Sequence, residues 1–173
     1  KKMGFGMFNH FGLYSVLGKG EWALEIDKLD QNKYNELTKK FNVKKDWAKK
    51  LVKTAKATGC KYITLTTRHH DGFSLYDTKG LNDFDAPHSA CGRDLIREFV
   101  DECNKEGIVP FFYHTLLDWY NPDYKNDFPK ANLREQSNHF YILSEKKRHP
   151  DKSALYGIYP DCHQDFSRFP PNR

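Results

Sequence analysis

The sequence predicts an α/β fold in which strands and helices alternate along the chain. Three short apolar or β-branched segments are separated by two amphipathic helical segments, in the order strand, helix, strand, helix, strand. Each helix reaches its next strand through a short turn, whereas each strand leaves through a long polar connection. This asymmetry is typical of a TIM-like (β/α)8 barrel, although an open doubly wound sheet gives a similar pattern.

The first strand is predicted at residues 4–9, an apolar run that contains two glycines. Residues 10–42 then form a long connection rich in glycine and charge, with a short helix expected at 33–40. A connection of that length in a compact domain is usually functional.

The remaining elements follow in regular alternation. Asp46 is expected to cap the next helix, and Gly59 and Gly107 are the expected stops of the two helices. The third strand is nearly continuous in apolar residues, as strands buried on both faces are. The predicted spans are helix 46–58, strand 61–67, helix 93–106 and strand 108–113.

The end of the chain does not continue this pattern. Apolar residues between 132 and 147 cluster instead of recurring along a helical face, and the last residues are interrupted by prolines. The chain has 173 residues, whereas a complete barrel needs about 250. We therefore expect residues 1–127 to form roughly the first three β/α units of a barrel. Residues 128–173 are expected to be a divergent tail, foreign to the fold or poorly ordered.

Composition and charge exclude several classes of protein. An aromatic content of 15% argues against disorder, although the mean hydropathy is −0.83. The net charge of +5 comes largely from lysines between residues 44 and 56 that alternate with apolar residues, which is typical of a solvated helix face. A nucleic-acid partner is therefore not predicted, and a basic nucleic-acid-binding domain is the last of the alternatives.

Targeting and cysteine signals are sparse. No stretch is apolar enough to span a membrane and no signal peptide is visible, so no membrane partner is predicted and a cytoplasmic location is favoured. The cysteines form no Cys-x-x-Cys pair, which argues against a zinc site, and Cys103 is expected to be a buried thiol. The four are Cys60, Cys91, Cys103 and Cys162.

Histidines stand where the predicted strands end. Because the carboxyl ends of parallel strands meet at one edge of a sheet, these side chains are expected to converge there. Neutral imidazoles both donate and accept hydrogen bonds, which suits the hydroxyl groups of a sugar. A turn histidine bonded to backbone is the alternative for each one alone. The four are His10, His69, His70 and His114.

Two tryptophans lie in long connections beside carboxylates. Trp22 follows Glu21, and Trp119 follows Asp118. Their indoles could stack on the apolar face of a sugar while the neighbouring acid holds a hydroxyl, or each could simply anchor its loop. Trp47 falls on the apolar face of a helix and is predicted to lie in the core.

The sequence defines the groups that would cleave a bond less clearly than those that would bind a ligand. A metal set of His10, His69 and His70 is conceivable, as is one with Asp118 as a carboxylate ligand, but the supporting ligand pattern is absent, so no metal or cofactor is predicted. No Gly-x-Ser-x-Gly elbow is present. A glycosidase needs two carboxyl groups, and which of three candidates would form such a pair stays open. The candidates are Glu21, Asp71 and Asp118.

Several motifs occur together in order. They are Gly-Met-Phe-Asn-His-Phe-Gly-Leu-Tyr-Ser at 6–15, Gly-Glu-Trp at 20–22, Lys-Tyr-Ile-Thr-Leu-Thr-Thr-Arg-His-His-Asp-Gly-Phe at 61–73, Leu-Leu-Asp-Trp at 116–119 and Asn-Pro-Asp-Tyr at 121–124. With them, the first three quarters of the chain resembles the α-L-fucosidases of glycoside hydrolase family 29. The resemblance implies a (β/α)8-like catalytic domain. It also implies hydrolysis of terminal α-L-fucose from fucosylated glycans with retention of configuration.

The resemblance also implies roles for individual residues. The fucose hydroxyls would be held by His10, His69 and His70. The same pocket would contain Glu21 and Trp22, with Tyr113 and His114 in its lining and Trp119 at its rim; the family often has Tyr where this chain has His114.

The sequence departs from the family where the catalytic carboxylates belong. The family nucleophile is an aspartate in a motif like Trp-Phe-Asp-Gly on the next strand, and Tyr-Gly-Ile-Tyr-Pro-Asp at 156–161 lacks its surroundings. Asp161 and Asp165 are the nearby candidates, and the general acid would come after Arg173. We therefore expect a truncated or frame-disrupted fucosidase, weakly active or inactive alone. The alternatives are a non-catalytic fucose-binding module and, behind it, a metal-dependent hydrolase.

Overall fold

The computed structural model of the protein describes residues 4–122, in which three strands form one parallel sheet. β1 is Gly6–Asn9, β2 is Tyr62–Arg68 and β3 is Val109–His114, and the strand order is β1-β2-β3. Ile63 pairs with Met7 on one side and with Pro110 on the other. The predicted sequence of strand, helix, strand, helix and strand along the chain and the α/β class are confirmed for this part of the chain.

Four α-helices and two 3-10 helices connect the strands in the described residues. The α-helices are α1 at Ala23–Ile26, α2 at Gln31–Asn35, α3 at Trp47–Ala57 and α4 at Leu95–Glu106; the 3-10 helices are Leu13–Leu17 and Glu36–Lys39. α3 packs against α4, and α4 packs against β3. From 4 to 122, no helix has the length and apolar character needed to cross a bilayer.

The ends of α4 show how local sequence sets a helix. The carboxylate of Asp94 accepts a hydrogen bond from the backbone N–H of Arg97 at 2.9 Å, which satisfies one of the free donors of the first turn. Gly107 closes the helix with φ at 71°, a left-handed conformation that glycine adopts without a steric penalty. Because Asp94 is the N-cap, the helix begins at Leu95, two residues after the predicted start at 93.

One expectation for α3 is wrong, and the other holds in part, since Trp47 packs against the core. Asp46 stands at the N-cap position, but its side chain makes no capping bond and instead pairs with Lys50 at 2.7 Å, one helical turn away. Trp47 is only half-buried, because its indole Nε1 donates to the carboxylate of Glu98 at 2.7 Å while its ring packs near Phe99. Burying that N–H without a partner would cost free energy, so the ring lies at the border of the core.

The core lies between β2 and the helices. Ile63 and Leu65 of β2 are fully buried, as are Val52 of α3 and Phe99 of α4. The prediction that β3 is buried on both faces is wrong within the described residues, since Phe111 is 40% exposed. Successive strand residues point to opposite faces, so the neighbouring buried Pro110 faces the core and Phe111 faces away from it.

The connection after β2 contributes to the core as well. Its residues Phe73, Leu75 and Phe84 are almost completely buried, and Ser74 makes isolated bridges to Arg68 and Asp85. This connection is therefore a packed part of the fold that holds the carboxyl end of β2 in place.

Candidate functional site

The predicted site residues gather at the carboxyl edge of the sheet. His10 follows β1, while His69 and His70 follow β2, and Tyr113 lies at the end of β3. The ring of His69 lies 5.4 Å from that of His10, 4.2 Å from that of His70 and 5.5 Å from that of Tyr113. Parallel strands therefore bring residues from distant parts of the sequence onto one surface.

His69 is the most enclosed member of this cluster. Its residue exposure is 4%, and its Nδ1 has no hydrogen-bond partner within residues 4–122. Burial lowers the pKa of His69 to about 4, and the neighbouring imidazoles of His70 and His10 act in the same direction. At neutral pH the ring is uncharged and is able to donate from one nitrogen and accept at the other.

His70 is held by the segment that follows β3. Its Nδ1 lies 2.6 Å from Oγ1 of Thr115, and its carbonyl accepts from the backbone N–H of Trp119 at 2.7 Å. The same hydroxyl accepts from the N–H of Leu117 at 3.2 Å, which leaves its own hydrogen to be donated to Nδ1. This arrangement favours the tautomer of His70 that carries its proton on Nε2. Burial lowers the pKa of His70 as well.

Two indoles pack around His70. The ring centroid of Trp22 lies 5.1 Å from that of His70 and 5.3 Å from that of Trp119, and Trp119 lies 5.3 Å from His70. Trp22 is 42% exposed, whereas Trp119 packs against the core. An exposed indole beside hydrogen-bonding imidazoles offers an apolar surface and polar contacts to the same ligand.

The β1 side of the cluster contributes a carboxylate. Oε1 of Glu21 lies 4.0 Å from Nε2 of His10, and the two side chains are 29% and 35% exposed. One ligand atom each from His10, Glu21 and His69 lie within 4.8 Å of one another. In the described residues this group contains Glu21 and not His70, so it differs from the set of three histidines that the sequence made conceivable.

His114 is bonded to the neighbouring strand. Its Nδ1 lies 2.9 Å from Oγ1 of Thr67, and its ring centroid is 6.1 Å from that of Tyr76. Thr67 also donates to the carbonyl of Tyr113 at 3.1 Å. These contacts tie the end of β3 to the end of β2.

In this part of the chain the carboxylates of Asp71 and Asp118 bond to other side chains of the fold, so they do not form a free catalytic pair. Asp71 is almost fully buried and accepts from the hydroxyl of Tyr34 at 2.7 Å, and burial raises its pKa to about 6. Asp118 pairs with the buried guanidinium of Arg68 at 3.2 Å. Glu21 is the remaining carboxylate of the three, and it alone borders the histidine cluster.

Several residues that support the site were missed from the sequence. Arg68 lies within the motif at 61–73 and Thr115 directly precedes the motif at 116–119, and this position is the only signal that could have marked them. Tyr34 reaches Asp71 across 37 residues of sequence, and no local pattern reveals that contact.

Together, the fold and the cluster define an α/β protein with a ligand site at the carboxyl edge of a parallel sheet. The site combines uncharged imidazole, carboxylate and exposed indole, a composition suited to a small ligand with hydroxyls and an apolar face. The family model described as α-L-fucosidase matches residues 1–160. The chain belongs to the α-L-fucosidase family, glycoside hydrolase family 29.

Relatives and solved structures agree with this assignment. The plasma α-L-fucosidase of Rattus norvegicus is 28% identical over 172 residues, which cover 90% of this chain and 35% of the relative. The α-L-fucosidase isoenzyme 1 of Paenibacillus thiaminolyticus is 38% identical with a TM-score of 0.68, over 79% of this chain and 32% of that one. A fucosidase structure from Bacteroides thetaiotaomicron, described as a trapped covalent intermediate, is 30% identical with a TM-score of 0.68, over 82% of this chain and 34% of that one.

The chain spans about a third of the length of these relatives. The nucleophile candidates Asp161 and Asp165, the boundary at residue 127 and the divergent tail at 128–173 all lie outside the described residues and stay predictions.

Proposed function

We propose that this chain carries the fucose-binding part of a retaining α-L-fucosidase, which releases terminal α-L-fucose from fucosylated glycans. The observation that supports it is the convergence of His10, His69 and His70 with two indoles at one edge of the sheet. A fucosidase relative is described as a complex with an α-L-fucose product, and another as a covalent intermediate.

Each part of the proposed pocket fits a different part of the sugar. Fucose carries three free hydroxyls besides the anomeric oxygen, and its ring also has an apolar methyl group. His10, His69 and His70 offer donors and acceptors to the hydroxyls, and Glu21 offers a strong acceptor beside them. The half-exposed ring of Trp22 offers a surface for the methyl group. Tyr113 and His114 complete the lining, and Trp119 forms the rim.

The proposed architecture is the first three β/α units of a TIM-like barrel. The parallel order β1-β2-β3 and the exposed ring of Phe111 support it, because the interior of such a barrel is filled by side chains from all eight strands. The proposed fucosidase-like portion is residues 1–127, with 128–173 as a divergent tail.

Retention of configuration requires a nucleophile and an acid about 5–5.5 Å apart. Asp71 and Asp118 are engaged with Tyr34 and Arg68 in the described part of the chain, so the nucleophile is assigned to later residues, where Asp161 and Asp165 are the candidates. No cofactor takes part in this chemistry.

Fucose binding tests the proposal directly. Isothermal titration of the 173-residue chain with L-fucose should give saturable binding, and titration with D-fucose, its mirror image, should give none. The variant His70→Gln should weaken the binding of L-fucose. The matched control is His88→Gln, since His88 lies in an exposed turn and pairs with Asp85 instead. The absence of L-fucose binding in a folded parent chain would overturn the proposal.

A fucose-binding module without hydrolysis is the second candidate function. It is favoured by the engagement of both described aspartates, Asp71 and Asp118, in structural bonds. Release of a chromogenic aglycone from an aryl α-L-fucoside separates the two functions. Turnover that is lost in Asp161→Asn or Asp165→Asn would establish hydrolysis, whereas binding without turnover would establish the module.

A further inference from the structure

We propose that His10, Glu21 and His69 form a binding site for a divalent transition-metal ion of the zinc type. One ligand atom from each residue lies within 4.8 Å of the others, and Oε1 of Glu21 lies 4.0 Å from Nε2 of His10. Two imidazoles and one carboxylate are a donor set with which proteins hold zinc while leaving a fourth position open to a small ligand.

The three donors come from rigid and adjustable parts of the molecule. Zinc–ligand bonds are about 2.0–2.2 Å in length, so tetrahedral donors lie roughly 3.5 Å apart. Closing the gap of 4.0 Å between Glu21 and His10 requires a shift of about half an ångström. Both side chains are about one third exposed and can make that shift, whereas His69 is buried and provides the fixed donor.

His69 is suited to this role because its hydrogen bonds are incomplete. Its residue exposure is 4%, and its Nδ1 has no partner among residues 4–122. A buried imidazole nitrogen without a partner lacks the compensation that buried polar groups normally have. A metal ion bound to either nitrogen would fix the tautomer and orientation of this ring.

The neighbouring His70 is not a member of this set. Within residues 4–122, the group of ligand atoms that lie within 4.8 Å of one another consists of His10, Glu21 and His69, and the ring of His70 lies against two indoles. The geometry therefore distinguishes this site from a set made of His10, His69 and His70, which the order of residues in the sequence suggests.

Metal binding at this site has a consequence that rests on the proposed function. The same three side chains are proposed to hold the hydroxyls of fucose, so an ion and the sugar would compete for them. Zinc would then act as a competitive inhibitor of sugar binding, with no role in the reaction.

Titration with Zn²⁺, followed by calorimetry and by the visible spectrum of bound Co²⁺, tests the site. In the parent chain a tetrahedral Co²⁺ spectrum should appear and should be displaced by Zn²⁺. Glu21→Gln and His69→Gln should each weaken Zn²⁺ binding by more than about tenfold. Removing a residue that only supports a metal ligand already lowers metal affinity by about tenfold, and these two residues are proposed as ligands themselves. His70→Gln should change it by no more than a few-fold.

The variants separate this site from others. Zinc held elsewhere in the chain would survive Glu21→Gln, and survival of all zinc binding in that variant would overturn the proposal. Equal losses in His70→Gln and Glu21→Gln would overturn it as well, because they would indicate the other set. Glu21 is partly exposed, so its variant keeps the test meaningful even if His69→Gln fails to fold.

Competition with L-fucose distinguishes the failure of this inference from that of the proposed function. Zinc binding that needs Glu21 but is unaffected by saturating L-fucose would support the metal site and contradict a shared sugar pocket. Fucose binding without any Glu21-dependent zinc binding would overturn the metal site and leave the sugar pocket intact.

Discussion

The two sides of the site are built differently. On one side, His70 is buried and Trp119 packs against the core, and the loops that carry them are bonded to each other; we call these two loops the β2–β3 wall. On the other side, His10, Glu21 and Trp22 are each at least one quarter exposed and form the β1 wall. The difference indicates that one wall has a fixed geometry and that the other is able to adjust to a ligand.

The rigidity of the β2–β3 wall comes from contacts that join its two loops. Arg68 and Asp118 pair at 3.2 Å while both are buried, and the carbonyl of His70 accepts from the N–H of Trp119. Gly72 has φ at 80°, and a Cβ at that position would collide with the carboxylate of Asp118 and with Tyr120. The loops are therefore in such close contact that even a methyl group would separate them.

The largest effect is expected from breaking the ion pair of this wall. Asp118→Asn leaves the buried guanidinium of Arg68 without its charge partner, which typically costs about 3–5 kcal/mol of stability. Urea unfolding of the 173-residue chain measures the change in the free energy of unfolding.

The matched control lies in the connection that follows strand β1. Lys19 and Asp27 are closer, at 2.6 Å, but their side chains are 52% and 33% exposed. Exposed pairs contribute about 0–1 kcal/mol, so Asp27→Asn should have little effect. Equal losses in the two variants would contradict the contrast between the walls.

A smaller effect is expected from Thr115→Val, which removes the hydroxyl that bonds to Nδ1 of His70. Leaving a buried polar atom unpaired costs about 1–3 kcal/mol, and the ring loses the bond that selects its tautomer. Nitrogen chemical shifts of the His70 ring should change from the Nε2–H form to a mixture. Thr115→Ser keeps the hydroxyl and should restore both the shifts and the stability. Unchanged shifts in Thr115→Val would show that packing alone orients the ring.

The β1 wall should respond in the opposite way. Trp22→Ala removes a side chain that is 42% exposed, so it should lower the free energy of unfolding by less than the loss of Trp119 does. Affinity for L-fucose should fall by about 1 kcal/mol or more through the lost apolar contact. Trp119→Ala is the comparison, since Trp119 packs against the core and its loss should reduce stability as well. A large loss of stability in Trp22→Ala would place this ring among the structural contacts.

The contrast also explains how much of the molecule its sequence reveals. The order of strands and helices was predictable because periodicity and the stops Gly59 and Gly107 are local signals. The gathering of His10, His69 and His70 was predictable because strand ends share one edge. The bonds of Asp71 to Tyr34 and of Asp118 to Arg68 were not, because a carboxylate in a motif has the same sequence signature whether it faces a ligand or a buried partner.

The exposure of β3 could not be predicted from the sequence for a related reason. An apolar run such as the one at 108–113 shows which residues avoid water, but not whether the described part of the fold covers both faces. Phe111 remains 40% exposed on the face away from the helices. Periodicity identified the strand, and only the arrangement of the elements around it decided the burial.

The smallest effect is a pH dependence that tests how the connection after β2 is held. Nδ1 of His88 lies 2.6 Å from the buried carboxylate of Asp85, and Asp83 lies 3.6 Å from its Nε2. The hydrogen bond to Asp85 raises the pKa of His88 above its usual range. Because folding raises this pKa, protonation of His88 stabilises the folded state. The contribution is complete at a pH below the unfolded pKa of about 6.5, and it disappears as the pH rises through the folded pKa.

The free energy of unfolding of the parent minus that of His88→Gln should therefore be positive near pH 5.5 and should decrease as the pH rises towards 8. The side chain of His88 is 47% exposed, so salt should weaken the effect. Measuring the same difference at two salt concentrations separates the ion pair from the loss of packing. A difference that grows with pH would mean that the neutral ring of His88, and not its ion pair with Asp85, stabilises the connection.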